Sequence, residues 1–311
     1  MPKKKAARKA TPKPAPPKKV TQKKKAAICT KPKTPKVARK AAPAPEPAPP
    51  PRTVVIVVTT STEPTPKPKA PPKPKPAPVA VPAGFDLIEV RENRYHDGES
   101  EDTQTRRVPI LKLTGDSSGY FFRASMNIDA AGAPRCYHPT DDSLALDDKA
   151  NSSSPSRQFI QGENGIGPAS GFYVSQTSLN KGPENRCDSF VDAVEMPYFV
   201  FPSQFHGASL GDVAMVYNTK NRKLTHAIFA ETNPRVGGAS IKTARNLGIP
   251  NATPRQGIND ARFIYLVFPG SKIPPSHSLP HWTDSSIRQN AEARFAAWGG
   301  LAKLQEIAKK I

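Results

Sequence analysis

The side chains able to do chemistry are mostly carboxyls in turn or strand-edge settings. They include Asp129 ahead of Ala-Ala-Gly132, the group Asp141, Asp142, Asp147 and Asp148 between Pro139 and Ala150, then Asp192, Glu195 and Asp212. Neighbouring carboxyls can divide acid and base work when their surroundings push their proton affinities apart. Each also has a plain structural use. Asp129 reads as a turn former whose side chain caps backbone amides. Asp212, following Gly211, reads as a turn acid at the start of a strand, and the acidic group between Pro139 and Ala150 as a solvated loop. His206 and His226 lie 20 residues apart without metal-ligand spacing, so packing or exposure is their default. Three cysteines (Cys29, Cys136, Cys187) are too few and too scattered for a metal cluster. They allow at most one disulfide, Cys136 to Cys187, and two reduced thiols are the plainer reading. No metal and no cofactor is expected.

The elements that must position these groups occupy only part of the chain. Residues 1–84 hold 21 of the 46 Lys and Arg against 2 of the 26 acids, a net of +19, with 22 of the 37 prolines and no aromatic residue. Residues 85–311 hold 25 bases against 24 acids and every aromatic. Ordering the backbone costs about 1–2 kcal/mol per residue, and the first part has too little apolar surface to offset that. It is expected to be a disordered Lys/Pro/Ala-rich tail, with 67–78 (KPKAPPKPKPAP) a polyproline-II spacer. Such a polycation binds polyanions (DNA, RNA or anionic cell wall) by counterion release and reads no sequence; a solubilising linker is the alternative. The run VVIVVTT (54–60) is strand-like and isolated, either docked on the domain edge or shielded by its charged flanks. No run approaches the roughly 18 apolar residues of a membrane span. No export signal is read either, which points to the cytoplasm.

From Phe85 onward short β-type runs alternate with Gly, Pro, Asn and Asp. They are FDLIEVRENRYH, VPILKLTG, YFFRASMNIDA, GFYVSQTSL, YFVFP, DVAMVYN, THAIFAE and FIYLVFPG. The spacing predicts a mostly β domain, a barrel or a sandwich, over 85–283. Ala239–Leu247 is predicted to be a short helix ending at Gly248. A C-terminal amphipathic helix is predicted over 284–311, capped by Asp284 or Ser285 and bent or split at Gly299-Gly300.

Seven blocks in order then go further: YFFRASMNIDAAGAPRCYHP (120–139), LDDKAN (146–151), GFYVSQTSL (171–179), FVDAVEMPYFVFP (190–202), LGDVAMVYN (210–218), HAIFAETNPRVGGAS (226–240) and FIYLVFPGS (263–271). Together they resemble the chitosanases of glycoside hydrolase family 75, with the core similarity over 120–271. The resemblance implies a barrel related to the double-psi type, hydrolysis of β-1,4 links between glucosamine units with inversion, and chitosan or a related polysaccharide as partner. Members of the family are usually secreted.

An inverting glycosidase needs two carboxyls roughly 6.5–9.5 Å apart, one to protonate the leaving oxygen and one to activate water. By register with the family pattern, Glu231 stands at the family's Asp and Gly238 at its Glu, so one carboxyl is kept and one is lost. The family often carries a further acid where Ala131 stands. With one member gone, turnover is expected to be impaired, since acid–base catalysis contributes about 10²–10⁴-fold. Asp129, His138, Asp147, Gln176 and Asp212 are the candidates for substrate contact. His138 can orient a carboxylate or stack on a sugar, or serve structurally beside Tyr137. The competing reading is a non-catalytic glycan- or partner-binding domain delivered to polyanions by the tail.

Overall fold

The computed structural model describes residues 78–96, 103–152, 155–162, 166–272 and 282–311. The basic tail up to residue 77, with Cys29 and the 54–60 run, lies outside the described residues.

Eight strands form one sheet: β1 Phe85–His96, β2 Thr103–Leu113, β3 Tyr120–Asp129, β4 Tyr198–Phe201, β5 Val213–Asn218, β6 Leu224–Thr232, β7 Gly238–Ser240 and β8 Ile258–Phe268. Their order is β1-β2-β3-β7-β4-β6-β5-β8, and β8 pairs back onto β3. Six strands, β3 to β8, therefore close a barrel, and full closure removes its edges. The pairs β3–β7 and β4–β6 are parallel and the remaining pairs antiparallel. The hairpin β1–β2 is an arm outside the barrel, joined to it through Leu111 opposite Phe121.

Aromatic residues concentrate in the strands and fill the interior. Phe122 stacks on Tyr265 at 4.8 Å and on Phe201 at 5.7 Å, and Phe199 stacks on Phe229 at 5.4 Å. All five rings are fully buried, and burial of a ring of this size stabilises by about 1.5–3 kcal/mol. β5 is buried along its whole length, so it reads as a continuous apolar run rather than an alternating one.

The mostly β barrel expected from the sequence is the fold. Two local expectations change. The segment GFYVSQTSL forms no ladder: it crosses the barrel as an extended loop whose amides reach separate partners, Tyr173 to Tyr137, Val174 to Phe159 and Leu179 to Ala230. Conversely Gly238–Ser240, three residues with no periodicity to read, is a strand. Helix α1 (Ile241–Asn246) consequently starts two residues later than predicted, with Ser240 as its cap through a bond from the Thr243 amide. Gly248 follows at φ +84°, the left-handed stop expected there.

The C-terminal helix is split at Gly299, as expected, into α2 (Asp284–Trp298) and α3 (Gly300–Ala308). The cap is Thr283 rather than Asp284 or Ser285: Thr283 and Ser286 exchange side-chain and backbone bonds in a capping box. Asp284 Oδ1 instead accepts from His226 Nε2 at 2.9 Å, tying α2 to β6. Ile287, Ala291, Phe295 and Trp298 bury one face of α2 in the core. Cys136 and Cys187 are both free thiols. No helix among the described residues is long and apolar enough to cross a membrane.

Candidate active site

The register places the candidate residues in one row. Asn127 (β3) lies opposite Gly238 (β7), Gly238 opposite Val200 (β4), and Val200 opposite Glu231 (β6). Directly opposed residues share a face of the sheet, and so do residues two apart on a strand. Asp129 and Tyr198 therefore join the row on the same side.

A bulge sets the direction of Glu231. β4 and β6 pair Phe199 with Phe229 and then Val200 with Glu231, so Ala230 is an extra residue in β6. Without that insertion Glu231 would point the same way as Phe229, into the aromatic core. The bulge turns the carboxyl to the opposite face, the use to which such irregularities are often put beside active sites. The released Ala230 carbonyl accepts the Leu179 amide at 2.8 Å, which draws the 171–179 loop across the site.

That loop holds the carboxyl. The Ser178 amide donates to Glu231 Oε2 at 2.9 Å, the Ser178 hydroxyl donates to Oε1, and the Thr232 amide donates to Oε1 at 2.8 Å. The Thr232 hydroxyl sits 2.9 Å from the Ser178 hydroxyl. Burial pushes the Glu231 proton affinity up, and these donors, which favour the charged form, pull part of it back; the net direction is upward.

Asp129 closes β3. Its Oδ1 accepts the Ala131 amide at 2.8 Å, the turn-capping role read from the sequence. The turn is tight: Gly132 has φ +79°, and a Cβ there would lie 2.1 Å from the Val191 carbonyl oxygen, so only glycine fits. Burial, together with the charges of Glu231 and Asp147, pushes the Asp129 carboxyl up to about 7. Tyr198 is fully buried and feels the charges of both acids. Its hydroxyl donates to the Ala131 carbonyl at 3.1 Å, and burial plus the charges of Asp129 and Glu231 keep it protonated.

Asp147 is also buried at this end. It accepts from the Asp148 amide at 2.8 Å and the Asn151 side chain at 2.9 Å, and burial raises its proton affinity. The other candidates lie in separate surroundings. His138 Nδ1 accepts the Asp141 amide at 3.1 Å and the ring meets Phe172 edge-on, fixing the 138–141 turn. Gln176 donates to the Glu184 carbonyl at 3.1 Å. Asp212 is fully buried and ties two loops, accepting from Ser209 at 2.8 Å and Gly270 at 3.1 Å. Ser178, Thr232 and Tyr198 carry the site without having been picked out from the sequence. The signal for Thr232 was its place beside Glu231; for Ser178 there was none, because its loop read as a strand.

A cleft of about 230 Å³ is lined by Asp129, Asn127, Gly238, Val200, Asn233 and Arg235, among others. Larger hollows of about 490 and 470 Å³ share Asp192 and do not include Asp129; the smaller cleft is the one that Asp129 and Gly238 line, and Glu231 is not part of its lining. Gly238 leaves a gap in the row, yet no room for a side chain. A Cβ there would stand 2.7 Å from Val200 Cβ and 2.8 Å from its Cγ2. The β1–β2 arm braces the turn before Gly238: the Val236 amide donates to the Glu92 carbonyl at 3.0 Å, and Asn93 donates to the Val236 carbonyl at 2.9 Å.

A closed β-barrel with half-buried carboxyls on one face beside a cleft is a frame suited to acid–base chemistry. The family can be given as well. Residues 126–299 match the model described as fungal chitosanase of glycosyl hydrolase group 75, and the chain belongs to that family. The match begins within β3, six residues inside the 120–271 span of the sequence blocks, and runs through α2 past the end of that span. No curated protein matches the chain.

Proposed function

We propose that the domain cuts β-1,4 links inside chitosan chains by acid–base hydrolysis with inversion, at a rate lowered by the loss of the family Glu at Gly238. The observation that carries this reading is the Glu231 carboxylate, turned out of the core by a bulge and gripped by Ser178 and Thr232. Several donors hold this carboxyl in one orientation and offset part of the rise in proton affinity caused by burial, which suits it to accept a proton from water. The acids Asp141, Asp142 and Asp148 on the exposed 139–150 loop supply long-range attraction for a cationic sugar polymer.

The +19 tail repels that polymer, and salt screens the repulsion beyond about 10 Å. Its proposed role is therefore anchoring to a polyanion rather than substrate binding. The blocked space at Gly238 favours a second reading, a non-catalytic domain that keeps the barrel for glycan or partner binding.

The test is reducing-end release from soluble chitosan by the full chain and by Glu231→Gln. Turnover that falls at least about 10²-fold in the variant is expected. Turnover unchanged in the variant removes Glu231 from the mechanism, and none in the wild type at high protein concentration leaves the binding reading.

A further inference from the structure

Resting on that reading, we infer that Asp129 is the second carboxyl of the reaction, the general acid, in place of the one missing at Gly238. Three features lead there. Asp129 and Gly238 line one cleft, so a carboxyl stands at the cleft from which the family's second one is missing. Asp129 shares the face of Asn127, Gly238, Val200 and Glu231, so both acids open to the same side of the sheet. Its turn is also built rather than incidental. Ala131 fixes one oxygen, Tyr198 holds the Ala131 carbonyl, and Gly132 lets the chain pass under Val191.

The two environments divide the labour. Glu231 receives three donated hydrogen bonds, which favour the ionised form. Asp129 receives fewer and feels the charges of Glu231 and Asp147, so it holds its proton to about pH 7. Burial first, and the Glu231 charge second, keep Asp129 protonated. In the step that follows, Asp129 gives its proton to the glycosidic oxygen as the C1–O bond breaks. A water oxygen bonds to C1 from the opposite face, and the water proton passes to Glu231. Solvent then returns the proton from Glu231 to Asp129, and the balance is one water consumed per link.

The experiment compares full-length wild type, Asp129→Asn and Glu231→Gln on soluble chitosan and on a dinitrophenyl chitooligoside, whose leaving group needs no proton. Asparagine still accepts the Ala131 amide, and unfolding curves check that the fold is kept. Should the asparagine variant not fold, Asp129→Glu takes its place. It retains an acid at altered reach, and turnover on chitosan is expected to drop there too.

Expected is a loss of about 10²–10⁴-fold for Asp129→Asn on chitosan, near wild-type turnover on the activated substrate, and disappearance of the alkaline fall in the pH–rate curve. Glu231→Gln is expected to lose turnover on both substrates. If Glu231→Gln abolishes turnover while Asp129→Asn leaves the chitosan rate and the alkaline limb as they were, the assignment of Asp129 is wrong and the glycosidase reading stands. A wild type inactive on both substrates overturns the two together.

Discussion

Placing a Glu at position 238, where the sequence register expects the family's, looks like a way to recover turnover, and the packing around Gly238 argues that it fails by itself. An added Cβ would stand 2.7 Å from Val200 Cβ and 2.8 Å from Val200 Cγ2. Apolar atoms pack at about 3.5–4.0 Å, and Val200 is a rotamer-restricted side chain in a buried strand, not the free end of a flexible one. Overpacking of this kind costs about 1–3 kcal/mol. Gly238 has no left-handed φ, so replacing glycine returns about 0.4–1 kcal/mol by stiffening the unfolded chain. The net destabilisation is about 0.5–2 kcal/mol, which for a domain of this size lowers the unfolding midpoint by about 1–8 °C. Val200→Ala leaves the Cβ in place and gives partial relief; Val200→Gly removes both contacts. Thermal unfolding of Gly238→Glu, Val200→Gly and the double variant measures the coupling. The double variant is expected to be more stable than the sum of the two singles and to turn over chitosan faster than Gly238→Glu. A Gly238→Glu chain as stable as wild type, or strictly additive singles, would refute the claim that Val200 occupies the space.

Asp129 also links pH to stability. Its folded-state proton affinity is raised from 3.8 to about 7, so the folded chain binds more protons than the unfolded one between those values, and stability falls as pH rises through that window. Asp129→Asn is therefore expected to raise the unfolding midpoint at pH 8 relative to wild type and to change it little at pH 3; an equal effect at both pH values counts against the buried carboxyl. Ser178→Ala removes a donor that favours the Glu231 anion, so the acid limb of the rate profile should move to higher pH, read from kcat/KM between pH 4 and 7; an unmoved limb would separate Ser178 from catalysis. For the tail, the slope of log affinity for a polyanion against log salt should be steep in the full chain and shallow without residues 1–84. Equal slopes would refute anchoring.

Much of the fold was legible because its strands are aromatic and β-branched runs punctuated by turn residues. β1 was readable residue for residue from FDLIEVRENRYH, and the split at Gly299 from two adjacent glycines. The failures share a physical cause. GFYVSQTSL has strand composition, but its amides are drawn to three separate partners, Tyr137, Phe159 and Ala230, that form no common strand, and β7 is three residues whose pairing comes wholly from its neighbours. The site was half legible. Glu231 stood out by register with the family pattern, whereas the part Asp129 plays depends on burial and on two other carboxyls that only the folded chain brings near. The bulge at Ala230, which aims Glu231, leaves no mark in composition at all.

Two carboxyls acting as acid and base on a water molecule, with no sugar bonded to the protein, must invert the anomeric centre. Proton NMR of the first products released from soluble chitosan by the full chain reads that configuration before mutarotation mixes it. The α-anomer appearing first is the expected result, and the β-anomer appearing first would contradict the division of labour between Asp129 and Glu231.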